Sequence, residues 1–144
     1  MSNNRQNDLS FHIRIPANKA FTKNVLLTLD GICDHFSFTE SSRDRIKKAL
    51  ETALVSSVEK FYQNEKGLFD LQFLIYKNKL MISIEDFLLD SSNQSEEIES
   101  NNEEVRNMLK VIEEQVDGIS FSSKKGRNAC YSISFNVSFI SDNI

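Results

Sequence analysis

The stretch from Tyr131 to Phe139 constrains this chain more than any other. Tyr131, Ile133, Phe135, Val137 and Phe139 alternate with Ser132, Ser134, Asn136 and Ser138. A period of two with one apolar and one polar side is the pattern of a β-strand that packs one face on a core and leaves the other to water. The chain therefore needs a layer to cover the apolar side. Its own remaining segments supply one.

Leu9, Phe11, Ile13 and Ile15 alternate with Ser10, His12 and Arg14, which predicts a strand stopped by Pro16 with His12 on the outer face. From Ala20 to Phe36, the residues Val25, Leu26, Leu29, Ile32, Cys33 and Phe36 fall at helical spacing, with Gly31 a weak point. Thr39 suits a cap for a second helix, whose inner stripe is Ile46, Ala49, Leu50, Ala53, Ser57, Val58 and Phe61, until the break at Asn64 to Gly67. Two alternating runs follow, Phe69-Leu71-Phe73-Ile75 and Leu80-Ile82-Ile84, joined by Lys77-Asn78-Lys79 as an antiparallel hairpin, with Asp86 continuing the inward phase. Residues 90–102, DSSNQSEEIESNN, are nearly devoid of apolar content and are expected to form a mobile acidic loop. Val105, Met108, Leu109, Ile112 and Val116 predict a third helix ended by Gly118, and a final hairpin turns through Lys124 to Asn128.

The expected order is β-α-α-β-β-α-β-β. Strands apolar on one side only lead to an α+β two-layer sandwich, with one mixed or antiparallel sheet covered on one face by three helices. A chain of 144 residues is the size of one domain, so we divide it into a polar tail at 1–8 and a single domain at 9–144.

Several function classes fall away. A formal net charge of -4 argues against nucleic acid as a partner, since binding to phosphates rests on clustered Lys and Arg. The tight basic cluster Lys124, Lys125, Arg127 reads as a solvated hairpin tip. No apolar run approaches the roughly 18 residues of a membrane span, and MSNNRQNDLS lacks an apolar leader core, so a cytoplasmic protein with no membrane partner is expected. Cys33 and Cys130 have no CxxC-type spacing and are expected to be buried, reduced thiols. Neighbouring helical residues point apart, so Cys33-Asp34-His35 does not form a metal site. His12 and His35 offer no ordering of the Ser-His-Asp or Cys-His kind.

The element order, the helix IKKALETALVSSVEKFY with Ile46, Ala49, Leu50, Ala53, Val58 and Tyr62, and the strand ending Ile82-x-Ile84-x-Asp86 together resemble the GHKL superfamily. This is the Bergerat or histidine-kinase-like ATPase fold, and the likeness is greatest to its anti-sigma-factor serine-kinase branch. The resemblance implies that Asp86 stands where the family recognises adenine. It also implies losses. Thr52 stands where the family has a glutamate base, and a threonine hydroxyl does not accept a proton near neutral pH. Ser56 stands where an asparagine ligates magnesium, and Leu88 where a glycine lets the adenine approach the backbone. The phosphate-binding segment before the third helix reads Ser100-Asn101-Asn102-Glu103-Glu104, with carboxylates where a triphosphate would sit. A register shifted by one would make Glu51 the catalytic acid, but it would put Val55 at the metal position and misphase Ala53, Val58 and Tyr62.

The resemblance thus implies a regulatory pseudokinase that needs no cofactor and has no catalytic residue. It would work in a partner-switching circuit by holding a sigma factor or a STAS-type antagonist, as a homodimer in the family's manner. The alternatives are an active ATP- and Mg-dependent serine kinase using Glu51, and an adaptor domain of convergent topology.

Overall fold

A computed structural model of the chain describes residues 9–61, 67–88, 103–123 and 129–138. The elements are β1 (Leu9–Pro16), α1 (Lys19–His35), α2 (Glu40–Phe61), β2 (Gly67–Tyr76), β3 (Lys79–Leu88), α3 (Glu103–Glu113), β4 (Gly118–Ser123) and β5 (Ala129–Ser138). Their order is the one that the alternation of periods two and 3.6 predicts. Every pairing is antiparallel, and the five strands lie in the order β1-β2-β3-β5-β4. The acidic loop expected at 90–102 and the basic tip Lys124, Lys125, Arg127 lie outside the described residues, as does Phe139.

Local chemistry sets most boundaries. Asn18 caps α1, its side-chain oxygen accepting the Ala20 N–H at 2.9 Å. At the other end Ser37 takes the left-handed conformation, φ 56°. The Phe38 N–H then reaches the Cys33 carbonyl at 3.0 Å and the Ser37 N–H reaches Asp34, the paired closure of a helix whose next residue turns back. Thr39 Oγ1 accepts the Ser42 N–H at 3.2 Å, which confirms it as the cap of α2. Between β2 and β3 the loop is only Lys77-Asn78, both at positive φ, so Lys79 opens β3 opposite Tyr76 rather than belonging to the turn.

One expected boundary is corrected. Gly118 does not end α3, which stops at Glu113; it opens β4. The chain leaves the helix early because Arg45 Nε takes the Gln115 carbonyl at 2.8 Å and the Asp117 N–H goes to the Asn136 carbonyl at 2.9 Å. Val116 still packs on the core, but from the connection rather than the helix. Glycine suits position 118 because a Cβ there would come within 2.9 Å of Asn136 Nδ2.

The helices cover one face. Phe69, Leu71, Phe73, Ile75, Leu80, Ile82, Ile84, Tyr131, Ile133, Phe135 and Val137 are buried against Val25, Leu29, Ile32, Ile46, Leu50, Leu54, Met108 and Ile112. Cys33 belongs to the same core. Burial pushes its thiol up to about 11 against the opposing pull of the Arg43 guanidinium, so it stays protonated at neutral pH. The side chain of Cys130 lies outside the described residues. Among those residues no helix is long and apolar enough to cross a membrane.

Polar links tie α2 to its neighbours. Arg43 pairs with Asp34 and Lys47 with Asp30 across the α1–α2 hairpin. Arg45 Nη2 meets Asp117 at 2.6 Å, and Asp117 also accepts the Ser138 N–H at 2.8 Å. Burial works to raise the Asp117 carboxyl, but the Ser138 N–H and Arg45 outweigh it and hold it below the usual carboxylate range. A depressed folded value means that this contribution is present above the unfolded pKa, near 4, and is lost as pH falls through the lower folded value. Asp117→Asn should cost about 1 kcal/mol at pH 7, discounted for its exposure. Urea unfolding should show that gap closing as the pH is taken below 4.

Candidate functional site

Asp86 sits near the end of β3, in the phase that faces the helices. Among the described residues it is the one acidic side chain that is fully buried. Its place coincides with a break in the β3–β5 ladder, where the register shifts between Glu85 and Phe87: Glu85 pairs with Ser132, but Phe87 pairs with Ala129. Two residues of β5, Cys130 and Tyr131, therefore stand opposite one of β3. Such a bulge takes an N–H out of the regular ladder. The Asp86 carboxylate recovers it, accepting the Tyr131 N–H at 2.7 Å.

Tyr131 carries the connection across the interlayer space. Its ring is fully buried and lies against Phe121 of β4, centroids 5.6 Å apart and tilted by 34°. Its hydroxyl bonds to Ser57 Oγ on α2. Ser57 in turn donates to the Ala53 carbonyl one turn earlier, at 2.7 Å. The chain of contacts thus runs from a β3 carboxylate through a β5 tyrosine to an α2 hydroxyl, all without solvent exposure. Buried polar groups need such partners, and Asp86 Oδ1, the Tyr131 hydroxyl and Ser57 Oγ find them along this chain.

The other residues singled out from the sequence are placed as follows. Thr52 and Ser56 lie on α2 one turn apart, both half-buried, beside the fully buried stripe of Ala49, Leu50, Ala53, Leu54 and Ser57. Glu51 is exposed. Leu88 closes β3 and pairs with Gly67; its side chain and that of Phe87 lie outside the described residues. Ser100, Asn101 and Asn102 do as well, while Glu103 opens α3 with its carboxylate exposed at the helix start. A carboxylate there complements the helix dipole and opposes an incoming anion.

A donor to Asp86 is the backbone of β5, not a side chain of α2. Tyr131 and Ser57 appear in the sequence only as members of apolar stripes. The available signal was that each puts a hydroxyl into a buried phase, Ser57 in a helix stripe and Tyr131 in a strand. What the arrangement offers chemically is positioning. Thr52 and Ser56 bring hydroxyls and no base, and Ser57 is engaged at both its donor and acceptor sides. His12 is exposed on β1, and His35 is exposed at the end of α1, where its ring meets Phe36 edge-on. Among the described residues no three His, Cys, Asp or Glu side chains converge as a metal site would need.

Compared with protein-family models and with curated proteins, the chain matches none.

Replacing Asp86 tests the bulge link. Asp86→Ala leaves the buried Tyr131 N–H without its acceptor and should cost about 2–3 kcal/mol. Asp86→Asn keeps an acceptor oxygen and should cost less than about 1 kcal/mol, while Tyr131→Phe should cost about 1 kcal/mol. Denaturant titrations of the three variants give the ranking; equal losses for Asp86→Ala and Asp86→Asn would contradict it.

Proposed function

We propose that this domain is a partner-binding regulator with the architecture of the GHKL ATPases, similar to anti-sigma-factor serine kinases, in which ATP binding and phosphoryl transfer have been lost. The reading rests on the element order, on the α2 and β3 sequences that resemble that superfamily, and on one observation above the rest. The carboxylate that would meet adenine is fully buried and bonded to the Tyr131 N–H. The Tyr131 side chain spans from that point to Ser57 of α2, across the interlayer space.

The remaining positions agree with such a loss. A kinase needs a base to accept the substrate proton and ligands to hold magnesium on the phosphates. At the corresponding positions Thr52 and Ser56 supply neither a carboxylate nor an amide. Glu51, the acid of the active-kinase alternative, is solvent-exposed on α2. With no chemistry left to perform, binding is the function such a domain retains. By the same resemblance its partner is a sigma factor or a STAS-type antagonist, held by a homodimer.

Thermal or chemical unfolding with and without Mg-ATP is the test. A ligand present at a hundred times its Kd adds about 2.7 kcal/mol to the native state. The lost-nucleotide reading expects no shift at millimolar Mg-ATP. A stabilisation of about that size would overturn it and restore the kinase with Glu51 as its acid.

A further inference from the structure

β4 is an edge strand, since it pairs with β5 on one side and, among the described residues, with nothing on the other. The two edges of the sheet are built differently. β1 carries His12 and Arg14 and ends on Pro16, residue types that discourage another strand from adding. β4 reads Gly-Ile-Ser-Phe-Ser-Ser, with no charge and no proline. Its outward N–H and C=O groups form a template about 20 Å long for another extended chain.

A groove lies beside this edge. It has a volume of about 300 Å³ and is lined by Leu109, Ile119 and Phe121, with Arg106, Lys110 and Glu113 of α3 along its side and Ser120 on β4. Ile119 and Phe121 are half-buried and pack on the core from the helix side of the sheet. They therefore form the floor of the groove and leave apolar surface for one or two further side chains. Arg106 and Lys110 are exposed one turn apart, while Glu113 stands at the end of α3 where the chain turns toward β4. A helix beside a strand edge that, among the described residues, pairs with nothing further, with an apolar floor between them, is a geometry in which peptides are bound by strand addition.

We infer that the β4 edge and the α3–β4 groove bind an extended peptide segment of a partner protein, whose groove-facing residues are an apolar side chain flanked by acidic ones. The backbone of the segment pairs with β4. Its apolar residue packs on Leu109, Ile119 and Phe121, and the carboxylates meet Arg106 and Lys110. Residues of the segment on the other side of the extended sheet lie beyond Ser120 and Ser122, so small polar residues suit them. This inference goes beyond the partner-switching reading, because it stands on the groove and not on any family. A nucleotide-dependent stabilisation that removed that reading would leave this one untouched.

The test uses fluorescein-labelled Thr-Glu-Thr-Leu-Thr-Glu-Thr, with versions carrying Val, Ile or Phe in place of Leu, in fluorescence anisotropy titrations of the full chain. Saturable binding with a Kd of about 10–100 μM is expected for at least one of them. The double variant Arg106→Glu/Lys110→Glu changes only exposed side chains and should weaken it at least about tenfold. The same variant should bind the peptide with Lys in place of Glu, which the native chain should not. N-methylation of alternate peptide amides should abolish binding in one phase and leave it intact in the other, since only one edge of an added strand faces β4. No saturable binding by any version up to about 1 mM, or indifference to the charge reversal or to both methylation phases, would overturn the inference. A homodimer formed through another surface leaves the inference standing; a doubling of mass in sedimentation that Arg106→Glu/Lys110→Glu abolishes would overturn it, because the edge would then belong to a second copy of this chain.

Discussion

A carboxylate cannot be carried into a protein core without partners, and Asp86 is carried there by the same alternation that buries Ile82 and Ile84. The β5 bulge supplies a backbone N–H at the place where the regular ladder would have consumed it. Removing the acid takes this acceptor from the amide, and straightening the bulge takes this donor from the acid. The residue that presents the amide, Tyr131, also fills the space between the layers and fastens it to α2 through Ser57. Since α2 is the helix that packs against both α1 and α3, this one junction fixes the central strands relative to the whole helical layer. The ion pairs of Arg45 and Asp117, and the bond from Ser42 to the Ser138 carbonyl, hold the other end of the same layer contact.

The elements were legible because their apolar residues keep period. β2, β3 and β5 as far as Val137 bury the alternate residues that the sequence marks, and the stripes of α1 and, as far as Val58, of α2 enter the core, joined by Leu54, which the expected stripe omitted; the side chain of Phe61 lies outside the described residues. Thr39 and Lys77-Asn78 announce a cap and a turn by chemistry that is local to a few residues. The end of α3 was not legible for the opposite reason. It is set by Arg45, 70 residues from the Gln115 carbonyl it captures, and by Asn136 across the β4–β5 pair. The core of the candidate site shares that property. Asp86 and Tyr131 are 45 residues apart and Ser57 and Tyr131 are 74 apart, so their contact exists only once β3 and β5 are neighbours in the sheet. Sequence alone marked Asp86 as an inward acid and Thr52 and Ser56 as hydroxyls on one helical flank. It gave no sign that Tyr131 would meet Asp86 through its N–H and Ser57 through its hydroxyl.

The function we propose rests on that junction. A nucleotide site needs a cavity, a charge-compatible rim and groups that act on the transferred phosphoryl. The residues described offer a buried tyrosine, an exposed carboxylate at the start of α3, and hydroxyls on α2. Surfaces suited to proteins are present instead. Among the described residues the β4 edge pairs with no further strand and carries no charged residue, and the groove beside it is lined by Phe121, Arg106, Lys110 and Glu113. Tyr131 of the junction and Phe121 of the groove are in ring contact, centroids 5.6 Å apart.

The hydrogen-exchange rate of the Tyr131 amide, measured by NMR with and without millimolar Mg-ATP, tests the junction most directly. An amide held by a buried carboxylate at the centre of the fold exchanges only when the domain unfolds, so it should rank with the slowest in the chain and be unchanged by nucleotide. Fast exchange of Tyr131 while its β5 neighbours stay protected, or a shift of its resonance on addition of Mg-ATP, would show that the space between β3, β5 and α2 opens, and would contradict a site closed by Tyr131.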